Sequence, residues 1–478
     1  MPNPDKFRAT EEPEAVKRYV LLKELGRKRF IDSHVVRTGE VNEDDILGAR
    51  RFLAEAITAT NPPVWASWFE HIFIAQELGR KIGDPTTQFL LSLHEIGRLV
   101  SPGAYLRNDF INRRLLKEFG IPPEIVDEFF PIERFLEVSG ELGLDEEQLR
   151  WQKPLSDDQK AKALIFFESL TNQQRITNLA DNLGKRNDKG LFDIRGFFQY
   201  LQTQEQRYKG ESPWPSENWS IPRRPGSAVL QAFIIEETLK WLQNKDVNVE
   251  SALRELDDYG PKFILVVRHG DPDNPKNIVY NLDQEMKAED IIHITEYGKE
   301  QMHLLGVIIK NRRFRVKSFR YSNQTRAVES TVALNDILKV KDVKDEQSLK
   351  DVYAPGAYFE GLTMDDWKVQ GGNAYDEKRW GKYNHEKPEK VIERINQVFW
   401  ENVNGLNVGE TVILLSHGDP IAWWINYQVT GKIPQADALR DQIYPNQGQA
   451  IVCIINPQGN FFTHYILTEP SLKEGKMY

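Results

Sequence analysis

The sequence predicts a multidomain protein: an all-α N-terminal domain followed by a three-layer α/β domain. Three observations carry this expectation. The chain has 478 residues, too many for one ordinary core. Apolar residues recur at three- and four-residue intervals up to about residue 205, then change from Lys262 to short apolar runs alternating with helix-like stretches. Between the two rhythms lies KGESPWPSENWSIPRRPGS, residues 209–227, with four prolines among polar residues. The expected organisation is a helical domain at 1–208, a Pro-rich linker with bridging helices at 209–260, and an α/β domain at 261–478.

In the first domain the spacing predicts helices at 68–82, 87–100, 111–119, 157–170 and 173–183. Residues 228–242 and 249–256 also read as helical and could connect the halves. In the second, Phe263–Val267, Thr411–Ser416, Ala450–Asn456 and Phe461–Leu467 read as strands. Residues 295–309 and 326–337 read as helices. Strands alternating with helices imply a sheet covered on both faces.

Composition excludes several functional classes. With 40% hydrophobic residues, 11 Trp and 24 Phe, the chain has ample material for packed cores. A net charge of −9 without a Lys/Arg-rich run argues against nucleic acid or anionic membrane as a partner. No apolar stretch is long enough to span a bilayer, and the N-terminus lacks a secretory signal, so the expected location is cytoplasmic. Cys453, the one cysteine, sits in an apolar run and reads as a small buried hydrophobe.

The chemistry concentrates at strand ends. Phe263–Val267 delivers Arg268-His269-Gly270, and Val412–Ser416 delivers His417-Gly418-Asp419. Ligands in open α/β sheets bind beyond the carboxyl ends of strands, so two imidazoles are expected at one sheet edge. Tyr321-Ser322-Asn323-Gln324-Thr325-Arg326-Ala327 adds a third strand end with Arg326 in the first turn of a helix. A neutral imidazole is a competent nucleophile near pH 7. Guanidinium groups grip phosphate oxygens in a bidentate manner, and a carboxylic acid is still needed for the departing oxygen.

The order Arg268-His269-Gly270, Ile294-Thr295-Glu296-Tyr297-Gly298, Ser322 to Ala327, Ser416-His417-Gly418 resembles the histidine phosphatase superfamily, which includes phosphoglycerate mutases. The resemblance covers about residues 261–470. It implies that His269 becomes phosphorylated, that Arg268, Arg326 and His417 form the phosphate pocket, and that no cofactor is required. For the acid it offers Asp351 first and Glu360 second. The family also tends to carry an asparagine soon after the first glycine, for which Asn274 is the candidate, with Asn277 nearby.

Three N-terminal segments place candidate metal ligands in apolar helices: Glu70-His71-Ile72, Leu93-His94-Glu95-Ile96 and Ala180-Asp181-Asn182. The set resembles the HD-domain metal-dependent phosphohydrolases, whose pattern is His, His-Asp and a distant Asp. Glu95 stands where that pattern has Asp. The resemblance implies a divalent transition metal (Mn, Fe or Ni) held by His71, His94, Glu95 and Asp181. The combined expectation is a phosphohydrolase acting on a small phosphorylated metabolite or nucleotide, fused to an HD-like module. The alternatives are a phosphoglycerate mutase-type phosphotransferase, or a signalling protein with an inactive HD-like module.

Overall fold

The structure, a computed structural model, describes residues 13–62, 64–100, 105–187, 190–191, 193–207, 226–352, 355–365 and 385–467. The Pro-rich segment expected as a linker lies, up to residue 225, outside the described residues. The chain divides into two compact units, Met1–Gly260 and Pro261–Tyr478.

The first unit is helical. Its principal helices are α1 (Pro13–Phe30), α2 (Glu43–Thr60), α3 (Ala66–Ile82), α4 (Pro85–Leu93), α5 (Tyr105–Glu118), α6 (Asp157–Ser169), α7 (Asn172–Leu183), α8 (Ser227–Gln243) and α9 (Val249–Arg254). Residues 68–79 of α3 are all buried, the mark of a central helix rather than a half-exposed one. Thr171 starts α7 with a capping box: its hydroxyl accepts from Gln174 N while the Gln174 side chain returns to the Thr171 amide. That cap fixes the phase of α7 and so the face that carries Asp181.

Two expectations change here. The helix predicted over 87–100 is interrupted after Leu93 and resumes at Gly97–Val100. The apolar period runs through the break, but the Asn112 side chain donates to His94 O and accepts from Gly97 N, replacing helical hydrogen bonds with tertiary ones. The segments expected as bridging helices, α8 and α9, pack into the first unit. Ala228, Ala232, Ile235, Leu242, Leu253 and Leu256 share one buried cluster with Ile74, Leu78, Leu179 and Leu183.

The second unit is built on a six-stranded sheet. Its strands are β1 (Lys262–Arg268), β2 (Arg315–Tyr321), β3 (Asp342–Asp345), β4 (Glu410–Ser416), β5 (Ala450–Ile455) and β6 (Phe461–Leu467), in the order β6-β5-β1-β4-β2-β3. β1, β4, β2 and β3 are mutually parallel, whereas β5 and β6 add antiparallel at the other edge. Helices α10 (Glu296–Asn311), α11 (Thr325–Leu338), α12 (Pro388–Asn404) and α13 (Gly418–Thr430) complete it. Ile264 and Val266 of β1 pack with Ile395, Phe399, Ile421 and Trp424 of α12 and α13. Phe263, Leu265 and Val267, on the opposite face, are equally buried.

Candidate active site

Strand register positions the site. β1 pairs with β4 so that Arg268 lies opposite Ser416, and the residues that follow are His269 and His417. β2 pairs on the other side of β4, with Tyr321 opposite Leu415, and the residue that follows is Ser322. Three parallel strands therefore release their next side chains at one carboxyl edge. The imidazole rings of His269 and His417 lie 5.1 Å apart, centroid to centroid.

The hydrogen-bond network assigns both tautomers. His269 Nδ1 lies 2.7 Å from Gly270 O; a carbonyl only accepts, so Nδ1 carries the proton and Nε2 keeps its lone pair. Ser322 Oγ accepts from Gln324 N and meets His417 Nε2 at 2.8 Å. Among the described residues the buried hydroxyl's hydrogen has no other acceptor, so it donates to Nε2 and the proton of His417 sits on Nδ1. Burial, and after it the Arg326 guanidinium, holds both histidines well below their ordinary pKa. Both rings are neutral at pH 7.

Positive charge surrounds them. Arg326, fully buried, donates through Nη2 to Asp351 Oδ2 at 2.8 Å. Arg268 donates through Nη1 to Pro445 O at 3.0 Å. Among the described residues, Arg268 Nε, Arg326 Nε, Arg326 Nη1 and His417 Nδ1 are buried donors with no hydrogen-bond partner. Unpartnered buried donors are rare because each forfeits its hydration without replacement. Four of them, three on two guanidinium groups, make a preorganised anion cradle.

Asp351 joins this group: its Oδ2 also lies 3.6 Å from His417 Nδ1. Burial raises its pKa against the pull of Arg326, so its carboxyl keeps a proton to higher pH than an exposed aspartate would. Glu360, its rival in the sequence, is solvent-exposed just after the helix Pro355–Phe359. Asn274 is employed otherwise, since its amide donates to Ile278 O and accepts from Ile278 N, closing its own loop. That loop carries Tyr280, whose ring stacks on Arg326 at 4.7 Å. Tyr444 stacks likewise on Arg268 at 5.3 Å and donates to Asp419 Oδ1 at 2.6 Å. Sequence reasoning missed both tyrosines, because neither lies in a motif.

The Thr295-Glu296-Tyr297-Gly298 stretch supports the site from behind. Thr295 caps α10 by accepting from Gly298 N, and its hydroxyl donates to Asp271 Oδ2. A Cβ on Gly270 would lie 2.4 Å from Gly298 O, so the two glycines allow the backbones to touch. Ser330 Oγ accepts from Gly270 N and donates to Arg326 O, tying the nucleophile's loop to the helix that bears Arg326.

A second cluster lies inside the first unit. One ligand atom each from His71, His94, Glu95 and Asp181 fall within 4.8 Å of one another. His71 Nε2 is 3.0 Å from Asp181 Oδ1 and 3.1 Å from His94 Nε2, and His94 Nε2 is 3.5 Å from Asp181 Oδ1. Each Nδ1 lies against a backbone carbonyl, His71 on Gly184 O and His94 on Leu91 O. Both Nδ1 atoms therefore donate, and two Nε2 lone pairs face each other. Such an arrangement is repulsive without a proton or cation between them, and metal-ligating imidazoles usually donate their other ring N–H to a backbone carbonyl or carboxylate, as both do here. Burial would raise the Asp181 pKa, but Lys185 and the two imidazoles hold it well below the usual carboxylate range. Its carboxylate is an anionic donor. Asp109, close enough to feel Asp181, is pushed up to about 6 by burial.

Comparison with known proteins places the second unit. Residues 264–463 match the family model of the histidine phosphatase superfamily (branch 1). The mitochondrial serine/threonine-protein phosphatase Pgam5 of Caenorhabditis briggsae is 32% identical over 123 residues, 26% of this chain and 35% of that protein. The chain thus spans about a third of the length of this curated relative. Among solved structures, YhfR of Bacillus stearothermophilus is 18% identical, covering 42% of this chain and 94% of its own with a TM-score of 0.33. A mycobacterial glucosyl-3-phosphoglycerate phosphatase is 16% identical, covering 43% and 96%, TM-score 0.33. A putative α-ribazole-5'-P phosphatase of Escherichia coli is 17% identical, covering 42% and 93%, TM-score 0.31. No helix among the described residues is long and apolar enough to cross a membrane.

Proposed function

Starting from a C-terminal half of the histidine phosphatase superfamily, we propose that this protein hydrolyses a phosphomonoester through a phosphohistidine formed on His269. The observation that carries the reading is the cradle of four unpartnered buried donors beside two neutral imidazoles. His269 Nε2 attacks phosphorus as the bond to the leaving oxygen breaks, and Asp351 gives that oxygen its proton. Water then attacks the phosphohistidine, the N–P bond breaks, a water proton returns to Asp351, and inorganic phosphate leaves. Arg268, Arg326 and His417 Nδ1–H hold the phosphoryl oxygens, where charge is redistributed in the transition state. The substrate class proposed is a small phosphorylated metabolite or nucleotide.

His269→Ala is expected to abolish turnover of a generic aryl phosphate. Inorganic phosphate released one-for-one with the alcohol distinguishes hydrolysis from transfer to a second hydroxyl. Wild-type turnover in His269→Ala would end the proposal.

For the first unit we propose an HD-like module that holds Mn, Fe or Ni through His71, His94, Asp181 and Glu95. The donor set suits such an ion: two imidazole Nε2 atoms, their Nδ1–H groups anchored, with carboxylates alongside. A bound divalent ion would supply Lewis-acid activation of water or a phosphate oxygen. Metal analysis of the purified protein beside Asp181→Ala tests this, and metal unaffected by that substitution would refute it.

A further inference from the structure

Glu95 departs from the resembled pattern by one methylene, and its surroundings explain how a longer side chain can serve there. Its carboxylate is buried and divided in its duties. Oε2 accepts from the Trp68 indole Nε1 at 3.0 Å and is ion-paired with Arg98. Oε1 faces His71 Nε2 at 3.8 Å. Trp68 is 3% exposed and lies three residues before His71 on α3, on the same helical face. Arg98 lies three residues beyond Glu95, across the break that Asn112 holds open.

Distances place Glu95 at the edge of the donor set. Donor atoms on an ion with bonds of about 2.1 Å stand about 3.0 Å apart when adjacent and about 4.2 Å apart when opposite. The three separations among His71, His94 and Asp181 run from 3.0 to 3.5 Å. The 3.8 Å from Glu95 Oε1 to His71 falls between the two values. The indole N–H and the guanidinium charge on the far oxygen fix the near one.

We propose that Trp68 and Arg98 are positioning residues that anchor Glu95 Oε2 so that Oε1 completes the metal site with His71, His94 and Asp181. The inference rests on the metal-site reading above. Outer-shell partners of metal ligands typically govern affinity by about 10–100-fold. The longer carboxylate of Glu95 is thus held by a tryptophan and an arginine that no ligand motif would include.

The test titrates metal-free full-length protein with Mn²⁺ by calorimetry, with metal content measured after dialysis and folding checked by circular dichroism. Trp68→Phe keeps the ring and removes only the N–H. Arg98→Gln removes the charge. Glu95→Gln removes the anionic oxygen, and Asp181→Ala is the ligand control. Expected are a wild type that binds Mn²⁺, about 10–100-fold weaker binding in Trp68→Phe and Arg98→Gln, and at least as great a loss in Glu95→Gln. Wild-type affinity in folded Glu95→Gln, with binding lost in Asp181→Ala, overturns this inference alone. Wild-type affinity in Trp68→Phe and Arg98→Gln overturns their positioning role. A wild type that binds no Mn²⁺ overturns both this inference and the metal reading beneath it. Should one variant fail to fold, the other positioning variant still decides.

Discussion

Arg326→Met perturbs both folding and catalysis, each by an amount the geometry makes quantitative. The arginine is fully buried, spends one nitrogen on Asp351 and leaves Nε and Nη1 without partners. Methionine fills a similar volume without charge. The variant loses one charged hydrogen bond and the Tyr280 stacking contact, but it also removes an incompletely compensated buried cation. Removing one partner of a buried ion pair leaves the other uncompensated and costs about 3–5 kcal/mol, so the second unit's stability should fall by up to about that amount, less as Asp351 takes up a proton. Catalysis by the folded variant should suffer independently. Two charge-assisted hydrogen bonds to a phosphoryl group, at about 1.5–3 kcal/mol each, amount to about 3–6 kcal/mol. At 1.36 kcal/mol per tenfold, kcat/KM should drop by about 10²–10⁴. Steady-state kinetics on an aryl phosphate, beside urea denaturation of the same preparation, measures both. A folded variant with less than a tenfold loss would show that the guanidinium does not face the phosphoryl group.

Other outcomes follow from the same site. Asp351→Asn should cost about 10²–10⁴ in kcat on an alkyl phosphate, whose leaving oxygen needs a proton, and far less on p-nitrophenyl phosphate; equal losses on both would remove Asp351 from the acid's role. His269 and His417 have folded-state pKa values lowered from 6.5, so the unfolded chain binds protons more readily. Their contribution to stability is fully present above pH about 6.5 and is lost as pH falls from there toward the lower folded values. Denaturation midpoints of the second unit across pH 5–8 should show this slope, and His417→Gln should flatten it; an unchanged slope contradicts the burial argument. Gly270→Ala drives a Cβ to 2.4 Å from Gly298 O, backbone against backbone, and should destabilise the second unit by about 1–3 kcal/mol. A variant as stable as wild type would mean the two loops separate freely.

Much of the second unit was legible because buried parallel strands are written as apolar runs. Phe263–Val267 and Thr411–Ser416 each lie within one residue of an observed strand at either end, and the His-Gly pair after each marks the sheet edge. β3, Asp342–Asp345, is an edge strand of mostly charged residues with no apolar run to reveal it. The stacked tyrosines were invisible for a different reason. Tyr280 and Tyr444 lie in loops far from the residues they cover, and only the fold brings them onto Arg326 and Arg268. In the first unit, His71, His94 and Asp181 could be singled out because polar residues interrupt apolar helices. The Trp68–Glu95–Arg98 link could not, since it depends on a helix break that a tertiary contact from Asn112 imposes.

The central claim, that His269 carries the phosphoryl group, is tested most directly by trapping it. Asp351→Asn mixed with p-nitrophenyl phosphate, quenched in alkali and digested for mass spectrometry, should show one phosphoryl group per chain on His269 and none in His269→Ala. Phosphate on a different residue, or turnover by a chain that never becomes phosphorylated, would contradict the account.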